Sequence, residues 1–179
     1  MKKILLALLI SSSAMAQDFT PLYANGIPND KGVANKQYAE RGADGKERIS
    51  KVTIPTYRFF PAPAAKNPTS CVVICPGGGY RILASSHEGY DIAAKFNEMG
   101  VAALVLYYRL PADSAQVEKK YAPLQDAQTA IALVRQNAAK WNVDPFKVGI
   151  MGFSAGGHLA ATASTHFNKD YTGILSGAN

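Results

Sequence analysis

Three apolar runs dominate the middle of the chain, and none of them alternates. Ser70–Cys75 (SCVVIC), Val101–Tyr108 (VAALVLYY) and Lys147–Phe153 (KVGIMGF) are short and nearly continuous, the pattern of strands buried on both faces. Between them the period changes. In EGYDIAAKFNEMG, Ile92, Phe96 and Met99 fall on one helical face, and Gly100 supplies the stop. In YAPLQDAQTAIALVRQNAAKW, Leu124, Ala127, Ile131, Val134, Ala138 and Trp141 recur at spacings of three and four. That spacing predicts one long helix with a single apolar face, and Pro123 fits its first turn. NVDPFK reads as a turn and AGGHLAATAST as a further helix of small residues, while KVTIPTYRFFPA reads as an edge strand ended by prolines.

Strands alternating with helices through short links predict right-handed crossovers and a parallel sheet covered on both faces, an α/β fold. Ligands of such sheets bind beyond the carboxyl ends of the strands. Two glycine-rich turns lie at those ends, Pro76–Tyr80 and Gly152–Gly157. Residues 17–50 break the rhythm. YANGIPNDKG and RGADGKERIS are rich in Gly, Asn and Asp, and the stretch is expected to be an irregular lead-in to a domain over residues 51–179. Residues 1–16 have a separate layout: MKK is a charged start, ILLALLI an apolar run too short to span a bilayer, and AMA a small-x-small cleavage site. They predict a signal peptide and a mature chain that begins at Gln17. The protein is then exported, to the periplasm or the medium, with no stable membrane insertion after cleavage.

The 179 residues, 47% of them apolar, suffice for one domain with a sizeable core and exclude wholesale disorder. Loss of Lys2 and Lys3 with the leader takes the formal net charge from +6 to +4. The remaining positive side chains form no stripe and no aromatic interleaving, so nucleic acid is not an expected partner. Export permits disulfides, but Cys71 and Cys75 flank VVI on one strand. They would sit roughly 13 Å apart, beyond the about 7 Å that a disulfide spans. Two free, buried thiols are expected. No Cys/His cluster has zinc spacing, and no metal or cofactor is expected.

The chemistry concentrates in the two glycine turns. Gly152-Phe153-Ser154-Ala155-Gly156 matches G-x-S-x-G between a predicted strand and a predicted helix. A serine in so sharp a turn leaves no room for side chains two residues to either side, and glycine supplies that room. The helix that starts at once offers free N–H groups and a positive end to a developing oxyanion. Ser154 is the candidate nucleophile and the N–H of Ala155 a candidate oxyanion donor. In PGGGY, the N–H groups of Gly78 and Gly79 are candidate donors to the same oxygen. No G-K-[ST] follows, which disfavours a phosphate loop.

CPGGGY, EGYDIAAKFNEMGVAALVLYYRLP and PLQDAQTAIALVRQNAAKWNVDPFKVGIMGFSAGGHLAA together resemble the α/β-hydrolase fold, specifically the esterase/lipase branch with an HGGG-type oxyanion loop. Within that branch the chain is similar to bacterial exported carbohydrate esterases of the acetylxylan- and feruloyl-esterase-like group. The resemblance covers about residues 70–165, and it departs at Pro76, where many relatives carry histidine. It implies a mostly parallel sheet and hydrolysis of a small acyl ester or an acylated carbohydrate without a cofactor. It also implies a triad in the order Ser, acid, His.

That order is not completed here. After Ser154 come only His158, His166 and Asp170 as candidates. His158 is four residues along the same helix and reads as a histidine packed on that helix. His166 lies near the helix's far end, more than about 15 Å from the serine at 1.5 Å per residue. His87 precedes the serine and would break the order. Asp91 and Asp126 sit near predicted helix starts, where capping or packing suits them. The expectation is an N-terminal portion of a longer esterase, with the triad Asp and His outside these residues. Two other readings remain open: a serine peptidase of the same fold, and a non-catalytic truncated domain with an uncovered sheet edge and face.

Overall fold

A computed structural model describes residues 19–63 and 65–171. The predicted leader, residues 1–16, lies outside the described residues. The strands are β1 (Thr20–Pro21), β2 (Tyr38–Arg41), β3 (Glu47–Ser50), β4 (Thr56–Phe60), β5 (Thr69–Cys75), β6 (Ile82–Leu83), β7 (Ala102–Tyr107) and β8 (Val143–Gly152). The α-helices are α1 (Asp91–Glu98), α2 (Ala122–Gln136), α3 (Ala138–Trp141) and α4 (Ala155–Thr165), and a π-helical turn, Ser86–Tyr90, precedes α1.

The main sheet has the order β1-β4-β7-β5-β8. β5 runs parallel to both β7 and β8, while β4 is antiparallel to β7. The chain steps from β5 to β7 in one direction and returns past β5 to β8 in the other. Right-handed crossovers therefore put α1 and α2 on opposite faces. α1 packs on β4 and β7; α2 and α4 pack on each other and on β8. Covered from both sides, Cys71–Cys75 and Ala102–Tyr107 are buried throughout. Both cysteines are free and buried, and burial pushes the Cys71 thiol up to about 12. At neutral pH it is protonated and a poor nucleophile.

Six expectations change. The stretch 17–50 is not irregular throughout: β1 pairs with β4, and β2 and β3 form a hairpin that continues onto β6 as a second, three-stranded sheet. β4 is second from the edge, because β1 covers it. β8 is not wholly buried. It forms the free edge of the sheet among the described residues, and most of it is partly or fully exposed, with Phe146 95% accessible. Of the predicted turn NVDPFK, Asn142 ends α3 in the left-handed region and Val143–Lys147 form an irregular start of β8, where the register with β5 shifts and Asp144 accepts the N–H of Phe146. The long helix breaks at Asn137, whose side chain donates to the Leu133 carbonyl and separates α2 from α3. Met99, predicted on the apolar face of α1, is exposed, whereas Ala93 is that helix's buried residue. Gly100 ends the helix as expected, with φ +75°.

One polar cluster sits inside the apolar layer. Arg109, just after β7, and Asp126 on α2 are both fully buried and bonded at 2.8 Å. Asp126 also accepts from the Arg109 backbone N–H and the Tyr23 hydroxyl, and Arg109 donates further to the Pro28 and Ala122 carbonyls. Burial opposes the charge on Arg109, but the Asp126 carboxylate and its hydrogen bonds outweigh it and hold the guanidinium above its ordinary range. The cluster ties the lead-in, β7 and α2 together. Removing one member of such a buried pair strands the other, at a cost of about 3–5 kcal/mol.

Candidate functional site

The two glycine turns meet because their strands do. Cys75, the last residue of β5, is the register partner of Gly152, the last residue of β8. The connection after β5 leaves toward one face of the sheet and the one after β8 toward the other, so the turns flank the topological switch point.

Ser154 is exposed and has φ +49°, ψ −115°, a conformation closed to most side-chain-bearing residues. It occupies the cap position of α4, and its carbonyl accepts the N–H of His158. The surrounding glycines are required by contact. A Cβ on Gly156 would lie 2.0 Å from the Cys75 carbonyl oxygen and 2.7 Å from that of Pro76. A Cβ on Gly152 would lie 2.3 Å from the Gly156 oxygen and 2.6 Å from the Cys75 oxygen. The serine turn is thus pressed directly on the backbone at the end of β5.

The other turn is held by its carbonyls. The buried Tyr108 hydroxyl donates to the Pro76 carbonyl at 2.6 Å. The Gly77 carbonyl accepts from Ala84 N–H, and the Gly78 carbonyl from Arg81 and Ile82 N–H. Gly78, Gly79 and Tyr80 all have positive φ, at +132°, +62° and +58°. Among the described residues, the N–H groups of Gly78, Gly79 and Ala155 have no intramolecular acceptor. All three predicted donors are therefore free, on the two turns that pack together. A side-chain link also crosses between the turns: the Tyr80 hydroxyl lies 2.9 Å from His158 Nδ1, with the rings edge to face. His158, read from the sequence as packed along its own helix, instead reaches the glycine loop. Burial, with the nearby Cys75 sulfur second, raises the Tyr80 phenol and keeps it protonated at neutral pH.

The remaining candidates lie elsewhere. His166 Nδ1 is 3.0 Å from the Thr162 carbonyl on α4. Asp126 is in the buried cluster, Asp91 is exposed at the start of α1, and Asp170 is exposed beyond α4. His87 sits in the π-turn, and its buried Nδ1 has no partner among the described residues. Among the described residues no group of three His, Cys, Asp or Glu side chains could hold a metal ion, and no helix is long and apolar enough to cross a membrane. A cleft of ≈ 530 Å³ borders the glycine loop, lined by Tyr80 and Arg81 together with Lys36, Lys51, Thr53 and Leu110. Two larger grooves, of ≈ 670 and ≈ 630 Å³, touch neither glycine turn.

The family model BD-FAE matches residues 59–175, from β4 past α4 and through both glycine turns. The chain belongs to the BD-FAE family. An acetylxylan esterase of Xylanibacter ruminicola is 42% identical over 101 residues, 56% of this chain and 20% of that protein. Endo-1,4-beta-xylanase B of Butyrivibrio fibrisolvens is 40% identical over 99 residues, 55% of this chain and 15% of that protein. Among solved structures, an acetyl ester-xyloside bifunctional hydrolase from Caldicellulosiruptor lactoaceticus is 32% identical, with a TM-score of 0.56 over 84% of this chain and 47% of that one. The fold is thus that of the α/β hydrolases, and the chain spans about a fifth or less of the length of these two curated relatives.

Sequence reasoning found both BD-FAE turns but not their fastenings. Tyr108, Tyr80–His158 and Glu88, which accepts from Gly77 N–H at 2.7 Å, are contacts between residues distant in the chain. The one sequence cue to Glu88 was an acid shortly after a glycine run that begins with a proline. The packing of the serine turn makes a direct prediction. Gly156→Ala, whose new carbon meets rigid backbone, should destabilise the protein by about 1–3 kcal/mol in urea unfolding. Gly149→Ala, whose new carbon meets nothing within 4 Å, should change it by less than about 0.5 kcal/mol.

Proposed function

We propose that the complete protein is an exported serine carboxylesterase that removes acyl groups, acetyl or feruloyl, from a carbohydrate. The observation that carries this reading is the strained Ser154 at the start of α4, set against a loop whose Gly78 and Gly79 N–H groups are free. The names of the relatives, an acetylxylan esterase among them, support an acylated carbohydrate as the substrate class.

In this reading the Ser154 hydroxyl attacks the ester carbonyl carbon while a histidine base takes its proton. The carbonyl π electrons move onto oxygen, and the N–H groups of Ala155, Gly78 and Gly79 hold that oxyanion. Each such donor is worth roughly 10²–10³ in rate. Collapse of the tetrahedral species expels the alcohol, which takes the proton from the histidine. Water then repeats the attack, releasing the acid and free Ser154. The histidine and its aspartate belong to segments outside these residues. In support, His158 is engaged by Tyr80 and His166 by its own helix. The cleft beside Tyr80 and Arg81 offers room for the sugar.

A fluorophosphonate should label Ser154 in the complete gene product, and Ser154→Ala should abolish labelling and lower aryl acetate hydrolysis by at least about 10³-fold. Faster turnover of a peptide anilide than of the aryl acetate would instead favour a peptidase. Export predicts that intact mass and N-terminal sequencing of the mature protein begin at Gln17; a retained Met1 contradicts it.

A further inference from the structure

The loop that carries Gly78 and Gly79 begins with Pro76, which has no N–H to anchor it, so the first donor of the loop is Gly77. That N–H does not face the serine's side of the loop as a free group. It donates to Glu88 Oε2 at 2.7 Å, a length typical of a bond to a carboxylate. The fit is close enough to require glycine: a Cβ on Gly77 would lie 2.8 Å from Glu88 Oε2 and 2.4 Å from the Phe153 carbonyl oxygen. Glu88 therefore acts where the loop touches the serine turn.

The placement of Glu88 is itself built. It lies in the π-helical turn Ser86–Tyr90, and such turns interrupt α-helices at functional positions more often than elsewhere. Ser85 Oγ donates to both the backbone oxygen and Oε1 of Glu47, and Glu47 N–H donates to Ser86 Oγ. β3, which carries Glu47, also pairs with β6 immediately after the loop. The hairpin of the lead-in thus braces the π-turn, and the π-turn braces the loop.

We infer that Glu88 is a positioning residue of the oxyanion loop: by holding Gly77 N–H it keeps the Gly78 and Gly79 N–H groups free and aimed at the acyl oxygen. The inference rests on the esterase reading for its consequence in rate, though not for the geometry. A negative charge close to a developing oxyanion is unfavourable in itself, so the contribution of Glu88 is its acceptor geometry. An amide oxygen in the same place can accept the same bond.

The test compares Glu88→Ala and Glu88→Gln in the complete gene product. Glu88→Ala should lower kcat for an aryl acetate about 10–100-fold, since a small misplacement of the reacting groups costs up to 10²-fold, with KM within about 3-fold. Glu88→Gln should restore kcat to within about 3-fold of the wild type. Amide hydrogen exchange at Gly77 should be slow in the wild type and Glu88→Gln and fast in Glu88→Ala. Equal kcat in Glu88→Ala and wild type, or a Glu88→Gln as poor as Glu88→Ala, overturns the inference. So does equal Gly77 exchange in all three. A wild type that hydrolyses no ester defeats the esterase reading instead, and the exchange comparison then decides the role of Glu88 alone.

Discussion

Cys75 and Gly152 end adjacent parallel strands in register, and the candidate site depends on that pairing. It sets the origin of two loops that depart toward opposite faces of the sheet. The candidate groups are attached to one loop or the other: Ser154 and the Ala155 N–H to the turn after β8, the Gly78 and Gly79 N–H groups to the turn after β5. A slip of register between β5 and β8 would separate the serine from the candidate donors even if each turn kept its own conformation. The close approach of Gly152 and Gly156 to the Cys75 carbonyl opposes such a slip, because another register would set a residue with a side chain against that backbone.

The second constraint is closeness. The proposed nucleophile and donors can serve one carbonyl group only if the backbones nearly touch, and the two turns do. Gly152 and Gly156 present bare Cα atoms to the carbonyls of Cys75 and Pro76, and Gly77 presents one to Phe153 and Glu88. The strained serine is held by its surroundings: α4 begins on its far side, and its carbonyl is already committed to the first turn of that helix. On the glycine loop, the carbonyls of Pro76, Gly77 and Gly78 are all satisfied. The loop spends its acceptors on structure and leaves donors for a ligand, an arrangement suited to an anion and poorly suited to a cation.

What the sequence made legible was local. Apolar runs announced the central strands, and G-x-S-x-G between a strand and a helix announced the elbow, because both patterns are written within ten residues or so. The hairpin of β2 and β3 was not legible. Its strands are short and polar, β2 is exposed and β3 buries only the neighbours Ile49 and Ser50, so they carry no buried alternation to read, and turn residues dominate the composition around them. The partial exposure of β8 depends on which elements cover a face, which periodicity alone does not encode. The fastenings of the site were hidden for another reason. Tyr108 to Pro76, Tyr80 to His158 and Arg109 to Asp126 join residues 17 to 78 positions apart, and a lone Tyr, His or Asp looks the same whether paired or not. The departure at Pro76 was visible in the sequence, but it did not by itself point to the Glu88 carboxylate that accepts the Gly77 N–H.

A structure of the complete gene product with a dialkyl phosphonate on Ser154 tests the central claim most directly. It should show the phosphoryl oxygen within about 2.7–3.1 Å of the N–H groups of Ala155 and of Gly78 or Gly79, with the Gly77–Glu88 bond intact. A phosphoryl oxygen turned to solvent, or a phosphonate bound to any residue but Ser154, would contradict it.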